Sequence, residues 1–276
     1  MPLNQADKKF LKFVLKLIEE RCPNIRKPKY SNEYYIRKII FMLRTGCSYR
    51  DLDYDGNKRN HYSSIQKKYK LYCTKKIFED AYNKLIKKYN RRMYRNIDNS
   101  ENINLFIDST QIRNKNGKTL IGRNIQDKSR FSTKISCIVD KNKIPVSISF
   151  YKGNVHDVNT ISPSIHKITI NNNNYKNIIG DKGYIVNKLK RIKFKREQRA
   201  VLITPYRKNQ KEKNTTIVIC RTNEELRLLK SRSLVENFFA SLKQFKRIQL
   251  RYDSNIDPSK NFVYMASSLI IIRSNL

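Results

Sequence analysis

Apolar residues recur at three- and four-residue intervals through the first part of the chain, and every second residue in short runs further on, so the chain reads as helices followed by a mixture of strands and helices. Residues 7–21 place Phe10, Phe13, Val14, Leu17 and Ile18 on one helix face, and Pro23 helps to end it. From Ser31 to Leu43 a second helix gathers Tyr35, Ile39, Ile40 and Leu43, with Ser31 as N-cap and Gly46 as the stop beyond its end. Ser63–Tyr72 and Lys75–Tyr94 read as two more, the latter turning Ile77, Phe78, Ala81, Leu85 and Ile86 inward. Asp98, Asn99, Ser100 and Asn102 form a polar hinge. The expected division is a small all-α N-terminal domain, residues 1–97, and a second domain, residues 98–276.

Beyond the hinge the expected strands are Ile103–Ile107, Ser132–Val139 and Ile144–Tyr151, the last two joined by a turn at Asp140–Lys143. A helix capped by Asp157 runs to about Lys167, an asparagine-rich loop covers Asn171–Asn174, and a fourth strand, Asn177–Ile179, leads into Gly180-Asp181. Tyr184–Phe194 reads as helix and Ala200–Thr204 as strand. Pro205–Asn214 is a basic linker and Ile217–Cys220 a further strand. Two helices close the chain: Ser231–Arg247, which buries Val235, Phe238, Phe239, Leu242 and Phe245, and Phe262–Ile272. The order of elements makes an α/β fold, a mixed sheet flanked by helices.

Charge narrows the function. With 59 Lys and Arg against 23 Asp and Glu the net charge is +36, opposite in sign to nucleic acid and to anionic membranes. Short basic helices with brief connections suit duplex DNA, although such helices are also a common structural unit. Cys22, Cys47, Cys73, Cys137 and Cys220 are scattered, odd in number and without a C-x-x-C pair, which indicates neither a disulfide framework nor a zinc ribbon and fits a reducing compartment. No apolar run reaches the length of a membrane span, and the N-terminal segment carries acids, unlike a secretory signal, so a soluble intracellular protein is expected.

Few acids are present, and three fall at element ends. Asp108 follows the first strand, Asp181 the fourth, and Glu236 lies on the helix from Ser231. In a ribonuclease-H-like sheet, carboxylates on adjacent strands and on a helix packed across them meet and suit two divalent cations for phosphodiester chemistry. Taken singly, each has a plainer reading: Asp108 and Asp181 as turn or cap residues, and Glu236 as half of a Ser233-x-x-Glu236 capping box. Arg232, Glu236 and Lys243 lie within roughly 40° of one another on the helical wheel, a carboxylate flanked by two phosphate-binding cations. His156 and Asp157 read as a turn and a helix cap, with direct catalysis as the alternative.

The ordered motifs resemble the DDE transposases of the IS5 group within the IS4-like class of insertion sequences. Leu43-Arg44-Thr45-Gly46 with Arg50-Asp51-Leu52 is similar to the N-terminal signature of that family, Tyr49 standing where a tryptophan is common. Phe106-Ile107-Asp108-Ser109-Thr110 resembles its first-aspartate strand, and Gly122-Arg123-Asn124 with Lys134 its connecting basic stretch. Gly153-Asn154-Val155-His156-Asp157 resembles its turn after the third strand, and Gly180-Asp181-Lys182-Gly183-Tyr184 its second-aspartate motif. Arg232-x-x-x-Glu236 with Lys243 resembles its final-helix signature, with Leu229 in the place of a frequent tyrosine.

The resemblance implies a ribonuclease-H-like fold in which Asp108, Asp181 and Glu236 bind two Mg²⁺ ions, with Mn²⁺ as substitute. Arg232 and Lys243 would position phosphates, and Lys134 and Arg123 would do the same unless they only form a solvated basic face. It further implies double-stranded DNA as partner, both terminal repeats and target, and a homodimer acting in a prokaryotic cytoplasm, a nucleus or a viral compartment. Two other functions fit the same residues: a catalytically silent DNA-binding protein, since charge alone gives affinity for DNA, and a ribonuclease-H-like nuclease.

Overall fold

The structure, a computed structural model, describes residues 3–22, 30–53, 62–95, 103–168, 175–186, 192, 194–197, 200–205 and 222–274. The hinge at 98–102, the asparagine-rich loop, most of the helix expected at 184–194, the linker at 206–214 and the strand expected at 217–220 lie outside the described residues. The chain divides into two compact units. The first takes residues 1–89, 112–133 and 240–276, and the second takes residues 90–111 and 134–239. The helices of the N-terminal part thus share a unit with two later segments.

In the first unit, α1 (Gln5–Arg21) starts at a capping box in which the Asn4 side chain accepts from Asp7 N–H at 2.8 Å and Asp7 accepts from Asn4 N–H at 3.2 Å. Its buried stripe of Phe10, Val14, Leu17 and Ile18 is the expected one. In α2 (Asn32–Thr45) Ser31 caps the start and Gly46, at φ 72°, ends the helix in the left-handed region that glycine adopts without strain. Lys246 also presses on Gly46, its Cβ 3.1 Å from where a side chain would begin, so the glycine of the signature serves both turn and packing. α3 (Tyr62–Thr74) and α4 (Ile77–Tyr94) complete the N-terminal helices.

The C-terminal helix, α9 by order, is longer than expected, Ile256–Arg273, because Asn255 caps it and Pro258 falls in its first turn, where a missing N–H is tolerated. It is buried on nearly all sides. Tyr69 stacks on Phe262 with centroids 4.6 Å apart and donates its hydroxyl to Pro258 O at 2.7 Å, while Tyr82 stacks on Tyr264. These contacts tie α3 and α4 to the chain's last helix and give the unit its core.

In the second unit the strand order is β4 (Pro145–Lys152), β3 (Arg130–Val139), β1 (Ile103–Asn114), β5 (Tyr175–Ile179), β6 (Val201–Ile203). β1 pairs parallel with β5, and β5 with β6. β3 and β4 form a hairpin whose turn is held by Asp140, its Oδ1 accepting from Asn142 and Ile144 N–H, both at 2.9 Å. Leu105, Phe106 and Ile107 are all buried, so β1 is covered on both faces. The short β2 (Gly122–Asn124) pairs with the start of β3, and β7 (Leu250–Arg251) with the end of β1, both within the first unit.

A 3₁₀ turn, Asp157–Thr160, precedes α5 (Ile161–Ile165), where one helix was expected. α6 (Asn223–Lys230) has no buried residue, and α7 (Ser233–Lys243) carries Glu236 and buries Val235, Phe238, Phe239 and Leu242 as expected. The helix expected to run to Arg247 stops at Lys243 and resumes as the short α8 (Lys246–Gln249). The result is a mixed α/β architecture, and no described helix is long and apolar enough to cross a membrane.

Candidate active site

β1 and β5 are the two strands that decide where the aspartates go. Phe106 of β1 is in register with Ile179 of β5, and Asp108 and Asp181 each lie two residues further on. Because the strands are parallel neighbours, the two carboxylates come to the same level of the sheet. Asp108 is half-buried, and its Oδ1 accepts from Ser109 N–H at 2.8 Å. Burial pushes its carboxyl up to about 6. The charges of Asp181 and Asp157 add to the rise, while the Ser109 N–H and the Arg232 guanidinium oppose it.

Asp181 caps the 3₁₀ turn Lys182–Tyr184, its Oδ1 accepting from Gly183 N–H at 2.7 Å. The plain reading of Asp181 as a cap is therefore real, and it leaves Oδ2 directed elsewhere. Arg232 reaches that oxygen with Nη1 at 4.0 Å and donates from Nη2 to Glu236 Oε1 at 2.9 Å. One guanidinium thus stands between the second aspartate and the glutamate. Glu236 is exposed on α7, and Arg232, half-buried, lies four residues earlier in the turn before that helix.

A fourth acid joins the group. Asp157 Oδ1 accepts from Ser109 Oγ at 2.6 Å and from Lys134 Nζ at 2.7 Å. Lys134 is only 6% exposed and also donates to Val155 O at 2.6 Å, so its ammonium is held inside the unit. The carboxylate that was expected to cap its own helix instead receives donors from two strands. Tyr184 lies buried nearby, and burial, with the negative charges of Asp157 and Asp108, pushes its hydroxyl up.

Of the other expected residues, Lys243 lies exposed near the end of α7, in the part belonging to the first unit. Arg123 is on β2, also in the first unit, exposed and 5.5 Å above the Phe131 ring. His156 is exposed and makes no side-chain cap to the turn that follows it.

Residues 99–271 match the family of transposase DDE domains, a stretch that holds Asp108, Asp157, Asp181 and Glu236 and covers well over half the chain. This chain belongs to the transposase DDE domain family. Among curated proteins none matches it significantly.

The family implies a divalent metal, and the DDE domain can be tested for it. All donors are carboxylate oxygens, the ligands that hard divalent cations take, and the rise at Asp108 is in part the repulsion from Asp181 that a cation between them would relieve. The donor chemistry fits. Among the described residues, however, no three acids stand together as a ready metal-binding group, and Arg232 holds the Glu236 carboxylate. Sequence reasoning named the two aspartates, Glu236 and Arg232, which this unit brings together, but it missed the Asp157 carboxylate as a partner of Ser109 and Lys134. The signals for it were the Gly153-Asn154-Val155-His156-Asp157 motif, in which Asp157 is the only acid, and the scarcity of acids in so basic a chain.

Proposed function

We propose that the chain is a DNA transposase of the IS5 group with a ribonuclease-H-like catalytic domain, cutting at the terminal repeats of its element and joining the freed ends to target DNA. In the first step a water oxygen forms a bond to phosphorus as the bond to the 3′-oxygen breaks, leaving a 3′-hydroxyl. That hydroxyl then attacks a target phosphodiester and expels a second 3′-oxygen, so each step is an in-line exchange of one P–O bond for another. Two magnesium ions, with manganese as substitute, would be held by Asp108, Asp181 and Glu236 and would stabilise charge on the attacking and leaving oxygens.

The chain's own residues do the rest. The Arg232 guanidinium, with its planar fork, would exchange Glu236 for a phosphate, Lys243 would add a point charge on the DNA backbone, and Arg123 a second guanidinium. Lys134 contributes from within, through Asp157. The N-terminal helices contact DNA, and a homodimer cuts the two ends. The observation that carries the reading is the register of β1 with β5, which sets Asp108 level with Asp181.

Single-strand nicking of DNA carrying the element's own terminal repeats, with Mg²⁺, Mn²⁺ or chelator, tests it. Metal-dependent nicking lost in Asp181→Asn, with DNA binding unchanged at one stated salt concentration, is the expected result. Binding without nicking under any metal would make the chain a silent DNA-binding protein, and nicking without strand joining would make it a nuclease.

A further inference from the structure

Asp157 touches each of the pieces that carry the two aspartates. Through Ser109 Oγ, at 2.6 Å, it is tied to the residue whose N–H holds Asp108. Its other oxygen faces the Asp181 turn: the point where a side chain on Gly183 would begin lies 2.9 Å from Asp181 Oδ1 and 3.0 Å from Asp157 Oδ2. Its own backbone is fixed, since the buried Thr160 donates its hydroxyl to Asp157 O at 2.7 Å. The counter-charge comes from β3, where Lys134 approaches Oδ1 at 2.7 Å from a nearly closed position. A residue that merely capped a turn would turn its carboxylate onto the N–H groups of that turn. This one bridges two strands and a loop.

We propose that Asp157 is a positioning residue of the DDE site, setting the separation of Asp108 and Asp181 for a divalent cation, with Lys134 as its internal counter-ion. The proposal rests on the transposase reading above and deepens it. Asp157 acts through Ser109 and the Gly183 turn, and Lys134 offsets the charge that this carboxylate brings beside the two aspartates. Partners of this kind, one step behind the metal-binding oxygens, typically change metal affinity by about 10- to 100-fold when removed.

The test is Mn²⁺ binding to the full DNA-free chain, followed by electron paramagnetic resonance, together with nicking as a function of Mn²⁺ and DNA binding at fixed salt. For Asp157→Asn the expected results are an affinity for Mn²⁺ weaker by about 10- to 100-fold, a half-saturating Mn²⁺ concentration for nicking raised by the same factor, and DNA binding within about twofold of the parent chain. Because Asp157→Asn leaves Lys134 unpaired, Asp157→Asn with Lys134→Met is measured as well, removing both charges. It is expected to fold and to show the same loss of affinity. Parental Mn²⁺ affinity in either folded variant overturns the proposal, and so does a parent chain that binds no Mn²⁺. A parent chain that binds Mn²⁺ yet nicks no terminal repeat overturns the transposase reading instead, with the affinity comparison still deciding Asp157.

Discussion

The acids of the candidate site are held in two contrasting ways. Asp108 and Asp157 sit on the sheet side, half-buried, with Ser109 and Lys134 giving them hydrogen bonds from two strands. Glu236 sits on α7 with its side chain 52% exposed, held by Arg232 four residues before it, in the turn that leads into that helix. The first arrangement is fixed by tertiary structure, and breaking it unpairs buried charge. The second is a local helix pair that solvent screens, so it is weak and easily exchanged. The contrast suits a site whose aspartates stay in place while the glutamate and arginine change partners when phosphate and cation arrive.

If the aspartate side is held as described, Lys134→Met should be the most costly of the changes considered. It leaves the Asp157 carboxylate without its cation in a nearly closed position, and a loss of about 2–4 kcal/mol in urea unfolding is expected, somewhat below the figure for a fully buried pair because Asp157 is 29% exposed. Adding Asp157→Asn should return part of it. A loss under about 1 kcal/mol would show that both sides of the site are equally loosely held.

Asp108 gives the comparison a pH signature. Its carboxyl titrates at about 6 in the fold against an ordinary 3.8, so between these values the folded chain holds a proton that the unfolded chain has released. The group's stabilising contribution is therefore complete below pH 4 and lost as the pH rises through 6. Asp108→Asn has no such dependence. Without divalent ions, its stability relative to the parent chain should rise between pH 4 and 7 by on the order of 2 kcal/mol, which paired melts across that range would read. A flat difference would mean that burial does not strain this carboxylate.

The two kinds of region were also unequally legible in the sequence. Where a signal is local it could be read: Ser31 and Gly46 bound α2, and the Val235, Phe238, Phe239, Leu242 stripe is the buried face of α7. β1 runs to Asn114 and not to Ile107, because Asp108 to Gln111 are half-buried polar residues that break the apolar alternation on which the strand was read. α6 was not read although Leu226 and Leu229 lie one turn apart on it, and the structure buries none of its residues. The partners of Asp157 come from positions 109 and 134, far apart in the chain, and no spacing rule connects them. A half-site built from contacts between distant strands becomes visible only when the strands are paired.

Gly183→Ala probes the seam between Asp157 and Asp181. Its new Cβ would lie 2.9 and 3.0 Å from the two carboxylates, so one must shift, and a loss of about 1–2 kcal/mol with weaker nicking is expected. A neutral effect on both would show that this separation is not fixed.

The smallest structural effect belongs to Glu236→Gln, and it sharpens the comparison most. An exposed pair one helical turn apart contributes about 0.3–0.5 kcal/mol, so the unfolding midpoint should scarcely move. Nicking of terminal-repeat DNA should nevertheless fall to background, because the glutamine can replace the hydrogen bond to Arg232 but not the charge that the cation requires. Stability and activity would then be set on opposite sides of one site, the sheet side by buried pairing and the helix side by an exposed carboxylate free to change partner. Retained nicking would assign Glu236 to the helix surface and leave the aspartates to act without it, whereas a large drop in stability would show that the Arg232 pair holds α7 in place.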